Sequence, residues 1–203
     1  MYFWFIFCIA AAVAVVPLHF VSVEHLTLRE RFGMKRGRGI GEILGYVSGW
    51  GFFISWIGIW FSPQPRFVTP LLHQSLVAVP VVMLPIPLLH ILVSAPFLTL
   101  GAWFGINGVK EVTLRVAETH RTERIISTGT YSIIRHPQYL GALLAHFGMS
   151  FLLSAWFSLI STPLLMILVY MISKKEEKEL VREFGCEYEA YQKNVPMLTP
   201  RLC

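Results

Sequence analysis

The stretch Arg135–Gly141, with the sequence RHPQYLG, decides the fold of this chain. It opens an apolar run that ends at a glutamate pair, Glu176-Glu177, and two apolar segments, 137–153 and 156–172, lie between the motifs with almost no linker. As helices rising about 1.5 Å per residue, each segment would be about 25 Å long, close to the hydrocarbon thickness of a bilayer. A tight hairpin of two such helices returns the chain to the membrane face that it left. The sequence therefore predicts that the cation, imidazole and phenol of the first motif lie near the two carboxylates, at one lipid–water boundary.

The composition of the 203-residue chain is typical of an integral membrane protein. Hydrophobic residues make up 55% and charged residues only 14%, whereas soluble domains carry about 25% charged residues. Residues 2–22 are too long for the core of a signal peptide and lack a basic start, so we interpret them as a retained helix. Residues 42–61 form a second span, with Glu42 at its end. Residues 173–203 become polar and alternate charged with aromatic residues, as a surface helix does.

The apolar stretch 71–109 is ambiguous, because about 40 residues exceed one ordinary span. It is interrupted by Pro80, Pro85, Pro87 and Pro96, so it fits two spans or one span with a re-entrant or interfacial piece. The 17 Lys and Arg residues favour one net crossing: five lie in the loop 27–40 and eleven lie after residue 109, and a single crossing puts both groups on one side.

These patterns predict an all-α polytopic bundle with five net spans, the N-terminus outside and the C-terminus in the cytoplasm. The region from Pro80 to Pro87 is the piece expected to deviate from a straight helix. The basic loops suit an anionic cytoplasmic leaflet. The net charge of +5 does not point to nucleic acid, since no soluble basic face with interleaved aromatic residues accompanies it.

Cysteine and histidine spacing gives no metal site. Cys8, Cys186 and Cys203 are far apart and read as unpaired thiols. Of the seven histidines, His19 and His90 lie within apolar runs, where a histidine is more often a hydrogen-bonded packing residue than a ligand. His136 is the exception because it belongs to the RHPQYLG motif.

From about Ala117 onward the chain resembles the integral-membrane methyltransferases, a family that includes isoprenylcysteine carboxyl methyltransferase and the phosphatidylethanolamine N-methyltransferases. The resemblance covers about 40% of the chain and includes the order and spacing of the motifs. The matching residues are Gly129-Thr130-Tyr131, Arg135-His136-Pro137-Gln138-Tyr139, Gly141, Glu176-Glu177, Phe184-Gly185, Glu187-Tyr188, Tyr191, Val195-Pro196 and Pro200.

This resemblance implies S-adenosylmethionine as the methyl donor, with residues 111–203 as the cofactor-binding catalytic region and residues 1–110 as N-terminal transmembrane helices. A carboxylate is an apt partner for the cofactor's ammonium and ribose hydroxyls, and free N–H groups at a helix start suit its carboxylate. An aromatic wall suits its adenine. The residues implied to hold the cofactor are Arg124, Ile125, Ile126, Tyr131, His136, Pro137, Gln138, Tyr139 and Glu176, and those implied to be catalytic are Arg135, His136 and Glu177.

Other interpretations stay open at this point. Arg135 also fits an interface anchor, Glu176-Glu177 fits a first solvated turn beyond the bilayer, and Phe184-Gly185 reads as a helix C-cap. The implied substrate is lipophilic, either a phospholipid amine head group or a prenylcysteine-like carboxylate, reached from the membrane at a site facing the cytoplasm. Prenylcysteine enzymes usually carry an arginine where this chain has Ile172, which favours a non-carboxylate acceptor. The alternatives from other classes are an NADPH-dependent lipid or sterol reductase and a non-enzymatic lipid-binding membrane protein.

Overall fold

The computed structural model describes residues 2–69, 76–79, 84–112 and 124–200 of the chain. In these ranges the protein is a helical bundle. The predicted all-α bundle is confirmed, with one short antiparallel hairpin as the exception. The helices are α1 Phe3–Ala14, α2 Val16–Ser22, α3 His25–Phe32, α4 Met34–Phe61, α5 Leu88–Val112, a 3₁₀ helix Gly129–Ser132, α6 Pro137–Leu152, α7 Trp156–Phe184 and α8 Cys186–Asn194.

The basic segment 27–40 is not the loop that the sequence predicted. It is occupied by α3 and the first turns of α4, which meet at Gly33, a glycine with φ of +79°. The two helices fold tightly on each other because a Cβ on Gly37 would lie 2.3 Å from the carbonyl oxygen of Leu28. Glu42 is therefore not at the end of a span but inside α4, where it accepts a hydrogen bond from Arg38 one turn earlier at 3.0 Å.

The described residues of the stretch 71–109 contain one long helix, as the charge distribution favoured. It is preceded by a hairpin of β1, Leu76–Val79, and β2, Leu84–Pro87, in which Leu76 lies opposite Pro87 and Val79 opposite Leu84. Prolines are tolerated there because both strands of a two-stranded sheet are edges. The predicted deviation from helix near Pro85 and Pro87 is confirmed, while residues 80–83 lie outside the described part of the chain.

Glycines allow α5 and α6 to pack with their backbones almost in contact. A Cβ on Gly101 would lie 2.9 Å from the carbonyl oxygen of Gly141, and one on Gly141 would lie 2.6 Å from the amide nitrogen of Gly105. At one end of this pair, a Cβ on Gly108 would lie 3.1 Å from the Pro137 ring. Small residues are the usual means by which membrane helices approach closely. This packing fixes where α6, and with it the RHPQYLG motif, lies against α5.

The predicted hairpin between the motifs is present as α6 and α7, joined by Leu153, Ser154 and Ala155. Ser154 has φ of +54°, which reverses the chain in three residues. The second helix is longer than predicted, because α7 continues to Phe184 rather than ending near residue 172. It ends at Gly185, with φ of +57°, so the predicted C-cap is confirmed and the polar tail continues as the separate helix α8.

An apolar cluster holds α2, α4 and α7 together, and buried polar contacts join α4 to the hairpin. In the hairpin, His146 is fully buried and receives hydrogen bonds on Nδ1 from the indoles of Trp56, at 2.6 Å, and Trp60, at 2.9 Å. Its Nε2 faces the carbonyl oxygen of Ser158 at 3.0 Å. The cluster comprises Val16, Trp56, Ile59, Leu165, Leu168, Val169 and Ile172.

Contacts between loops define two ends of the bundle. At one end the backbone of Phe67 bonds to Ser154 and that of Trp156 to Pro65. The other end holds the RHPQYLG motif and the glutamate pair. Within the part of the chain that the structure describes, four helical segments are long and apolar enough to cross a membrane, namely Phe3–Ser22, Met34–Phe61, Leu88–Val112 and Trp156–Phe184. Helix α6 has only 16 residues. The bundle is consistent with five crossings, a number that stays a prediction because α6 is so short.

Candidate functional site

The two motifs meet at one end of the bundle, as the hairpin predicted. The Nε of Arg135 donates to Oε1 of Glu177 at 2.6 Å, and the ring of His136 lies between the two carboxylates, with Nε2 3.2 Å from Glu177 and Nδ1 3.5 Å from Glu176. The hydroxyl of Tyr139 donates to Oε1 of Glu176. The glutamates are therefore not a first solvated turn: the Glu177 residue is only 7% exposed.

A cavity opens beside this network, and we call it the motif cavity. It includes eight of the nine residues predicted to hold the cofactor, and Pro137 is the exception because it is packed against α5 as the first residue of α6. The residues that line this cavity include arginines, glutamates and apolar side chains. Its lining comprises Val23, His25, Val112, Arg124, Ile125, Ile126, Tyr131, Arg135, His136, Gln138, Tyr139, Glu176, Glu179, Leu180, Glu183, Tyr188 and Tyr191.

Arg135 connects the motif to the end of α8. Its guanidinium bonds the carbonyl oxygen of Gln192 at 2.9 Å and that of Val195, in addition to Glu177. Its backbone N–H donates to Pro196 at 2.9 Å. These contacts suit a residue that holds the site together, and they differ from those of a helix-end anchor in lipid. The predicted catalytic roles of Arg135, His136 and Glu177 stay predictions.

Glu111, at the end of α5, is a positioning residue that the sequence interpretation missed. Its carboxylate accepts the backbone N–H of Thr130 at 2.9 and 3.0 Å and the Thr130 hydroxyl at 3.0 Å. Gly129 has φ of +57°, and a Cβ there would lie 2.2 Å from Glu111, so the turn requires glycine. This arrangement fixes the 3₁₀ helix that carries Tyr131 into the motif cavity. The sequence feature that could have indicated this role is an acidic residue at the end of an apolar span, 18 residues before the GTY motif.

The tyrosines of the motif cavity are neutral hydrogen-bonding groups. Burial raises the pKa of Tyr131, Tyr188 and Tyr191 above the usual value near 10. The hydroxyl of Tyr131 receives a bond from the Gln138 amide at 3.1 Å, and that of Tyr191 donates to the carbonyl oxygen of Tyr131 at 2.6 Å. Tyr131 is thus held from both sides, with its ring on the cavity wall.

The lysines near the glutamate pair have partners of their own. Lys175 pairs with Glu24 and, at 3.2 Å, with Glu179, while the ammonium of Lys174 lies over the Tyr170 ring. Arg182 pairs with Glu179 at 3.1 Å. Glu179 and Glu183 line the motif cavity with Glu176, so this end of α7 presents three carboxylates to it.

A second cavity adjoins the motif cavity, and we call it the apolar cavity. Its volume is about 390 Å³, and it shares Gln138 and Tyr139 with the motif cavity. Among the described residues that line it, none is Lys, Arg, Asp or Glu, and Ile172 contributes to its wall. The lining comprises Val15, Val16, His19, Ser48, Gly49, Trp50, Phe52, Phe53, Trp56, Val109, Gln138, Tyr139, Ala142, Val169 and Ile172.

His19 links the two cavities, whereas the sequence favoured a hydrogen-bonded packing residue at this position. It is 5% exposed, lines the apolar cavity and lies with Nε2 2.9 Å from Oε1 of Glu176. A lone histidine in an apolar run carries no local signal, since its partner is 157 residues away in the chain. Only the fold brings α2 against α7.

Comparisons with known proteins find similarity over this part of the chain. Residues 89–187 match the sequence model of the phospholipid methyltransferase family, a range that contains all but the first residue of α5, the RHPQYLG motif and the glutamate pair. Over these residues the chain is similar to the integral-membrane methyltransferases. The predicted resemblance is confirmed, and the first 88 residues, which include His19, lie outside the matched range.

Curated relatives share part of this region. Methanethiol S-methyltransferase 2 of Bradyrhizobium diazoefficiens is 38% identical over 74 residues, which are 36% of this chain and 27% of the relative. Methanethiol S-methyltransferase of Pseudomonas deceptionensis is 42% identical over 74 residues, again 36% and 27%. That of Crocosphaera subtropica is 34% identical over 98 residues, or 48% of this chain and 38% of the relative. The chain thus matches well under half the length of these relatives.

Proposed function

We propose that this protein is an S-adenosylmethionine-dependent methyltransferase that acts on a lipophilic acceptor within the membrane. The observation that carries this proposal is the junction of the two cavities at Gln138 and Tyr139. One cavity is lined by the residues implied to hold the cofactor, and the other is apolar. A methyl donor bound in the motif cavity and a lipophilic acceptor bound in the apolar cavity would meet at Gln138 and Tyr139.

The chemistry of the motif cavity fits the cofactor. Its positive ammonium and sulfonium groups match the carboxylates of Glu176 and Glu183, whereas Glu179 is already paired with Lys175 and Arg182. The guanidinium of Arg124 offers a partner for its carboxylate, and Ile125, Ile126 and Tyr131 offer an apolar and aromatic wall for adenine. Bound there, the cofactor would supply an electrophilic methyl group on a sulfonium.

The residues of the chain would then act mainly by positioning. A sulfonium methyl is already reactive, so the alignment of donor and acceptor and the exclusion of water supply most of the rate. Tyr139 donates a hydrogen bond to Glu176 at the junction of the two cavities. His136 lies between Glu176 and Glu177, and Arg135 bonds to Glu177, so these contacts hold the junction in place. We assign to Arg135 and Glu177 the role of positioning residues. We propose that the motif cavity faces the cytoplasm, because the basic residues cluster at that end of the bundle.

The lining of the apolar cavity favours an acceptor without a negative charge. A buried carboxylate or phosphate needs a cationic partner, and the described residues around this cavity include no Lys or Arg. That argues against a prenylcysteine carboxylate and against a phospholipid head group drawn into the cavity. The relatives are named for methanethiol, and a thiol is a neutral acceptor. We therefore propose a lipophilic thiol as the acceptor class.

Titration calorimetry separates this function from its alternatives. Purified protein in detergent should bind S-adenosylmethionine and not NADPH, and membranes that contain it should transfer labelled methyl to an added alkanethiol. Binding of NADPH alone would favour the reductase alternative, and binding of neither would favour a lipid-binding membrane protein. Transfer to phosphatidylethanolamine or to a prenylcysteine, but not to thiols, would keep the methyltransferase and overturn the acceptor class.

A further inference from the structure

We propose that His19 is the catalytic base that takes the proton of the acceptor, with Glu176 orienting its ring. This inference rests on the proposed function. It assigns a chemical role to the N-terminal region, which lies outside the range that matches the methyltransferase family.

The position of His19 carries the proposal. Its side chain lines the apolar cavity, and its Nε2 lies 2.9 Å from Oε1 of Glu176, a residue that lines the motif cavity. The hydroxyl of Tyr139, which lines both cavities, donates to the same carboxylate oxygen. His19 is thus placed where the acceptor and the methyl donor would meet.

The other candidate bases are less well placed. His136 has one ring nitrogen 3.5 Å from Glu176 and the other 3.2 Å from Glu177. Neither His136 nor Glu177 is among the described residues that line the apolar cavity, and His19 is the one imidazole among them. A histidine oriented by a carboxylate is a common arrangement for proton abstraction, because the carboxylate fixes the tautomer and stabilises the cation that forms.

The proposed step balances. The S–H bond of the acceptor thiol breaks and its proton passes to the His19 imidazole. The acceptor sulfur forms a bond to the methyl carbon as the bond from that carbon to the donor sulfur breaks, and the electron pair of the broken bond cancels the donor's positive charge. Two neutral thioethers result, and the proton leaves His19 by way of Glu176, which faces the motif cavity.

The acidity of the acceptor provides the test. His19→Gln should lower the rate of methyl transfer to hexanethiol, a weak acid, by about 100-fold, within the range usual for loss of a general base. Transfer to thiophenol, which ionises without help, should change by less than about threefold on the same argument. The matched control is His90→Gln, a buried histidine bonded to Ser154 at the opposite end of the bundle, which should affect neither rate.

A measurement without cofactor supports the same comparison. The anion of 4-nitrophenol absorbs visible light and its neutral form does not, so this probe shows where the proton lies when it occupies the apolar cavity. Wild-type protein should increase the anion fraction, and His19→Gln should not. Quenching of Trp50 and Trp56 fluorescence by hexyl methyl sulfide, the thioether product, checks that the variant retains the cavity.

The outcomes separate this inference from the proposed function. Equal slowing of both thiols in His19→Gln, or no slowing of either, would overturn the role of His19 while leaving the methyltransferase in place. If His19→Gln fails to fold, an unchanged anion fraction of 4-nitrophenol on binding to wild-type protein would overturn the role, and an increased fraction would uphold it. Absence of S-adenosylmethionine binding to wild-type protein would instead defeat the proposed function itself.

Discussion

At the scale of single residues, Glu176 is the carboxylate on which both cavities depend. If it binds the cofactor ammonium, Glu176→Gln removes a charge-assisted bond of about 1.5–3 kcal/mol, or about 10–100-fold in affinity. Calorimetric titration with S-adenosylmethionine measures this loss. Glu189→Gln, an exposed carboxylate on α8, is the matched control and should bind as wild type does. Unchanged affinity in Glu176→Gln would reduce this residue to a structural partner of Tyr139 and His19.

Ile172 tests the charge of the acceptor. Its side chain is 6% exposed and lines the apolar cavity, so an arginine there would place a cation where a neutral group must dock. Ile172→Arg should reduce methyl transfer to an alkanethiol by at least about tenfold, equivalent to about 1.4 kcal/mol. Ile172→Leu, which keeps the apolar wall, should change it little. Faster methylation of a prenylcysteine by Ile172→Arg than by the wild type would contradict the preference for a neutral acceptor.

Glu111 acts on the site through the 3₁₀ helix. Glu111→Gln weakens the acceptor of the Thr130 N–H and hydroxyl, at a cost of about 1–3 kcal/mol, and should reduce cofactor affinity through Tyr131. The control is Lys110→Gln, a substitution at the exposed residue next to Glu111, which should leave cofactor affinity unchanged. A double-mutant cycle with Thr130→Val should show coupling of about 0.5–3 kcal/mol. Strictly additive losses would mean that the two residues act independently.

At the residue scale, the sequence predicted which motif residues lie close together. Tyr131, Gln138, Tyr139 and Glu176 line one cavity because they belong to short patterns on either side of a single helical hairpin, and their cofactor-binding roles stay predictions. His19 and Glu111 were missed because their partners are 157 and 19 residues away and belong to different helices. Hydrogen bonds of that kind depend on which helices pack together, and local spacing does not encode it.

At the scale of elements, the glycines between α5 and α6 provide a matched pair. A Cβ on Gly141 would meet backbone at 2.6 Å, while one on Gly105 would meet nothing within 4 Å. Gly141→Ala should therefore lower the melting temperature in detergent, by overpacking worth about 1–3 kcal/mol. Gly105→Ala should be neutral or stabilising, since alanine is favoured over glycine in helices by about 1 kcal/mol. Equal effects of the two substitutions would contradict the close backbone contact.

The ends of two helices were predicted wrongly because the prediction relied on the pattern of apolar residues. The length of α7 was underestimated because Lys174 onward is polar, although Glu177 and Glu179 are buried against their partners. The helical start of α4 was hidden by its basic residues and glycines. In both places the helix continues into the polar boundary region, where hydropathy decreases but backbone hydrogen bonding does not.

At the scale of the whole molecule, the two ends of the bundle should lie on opposite sides of the membrane. Cys186 is exposed at the motif end, and Val68 is 68% exposed at the other. In sealed right-side-out vesicles, a membrane-impermeant maleimide should label Val68→Cys in a background in which Cys8, Cys186 and Cys203 are replaced by serine. It should leave Cys186 unlabelled in a protein in which only Cys8 and Cys203 are replaced by serine. Inverted vesicles should reverse both results. Labelling of both positions from one side would contradict the five-span topology.

The pairing of Arg135 and His136 with Pro196 and Met197 has a consequence for biosynthesis. The backbone N–H groups of the first pair bond to the carbonyl oxygens of the second, and the Arg135 guanidinium reaches Val195, which is 60 residues later in the chain. The ribosome therefore makes the signature motif long before its backbone partners exist. A growing chain can insert its helices in order, yet the hydrogen bonds of Arg135 and His136 to residues 195–197 form only after those residues have left the ribosome. Synthesis itself thus keeps the site incomplete until the helices around it are in place.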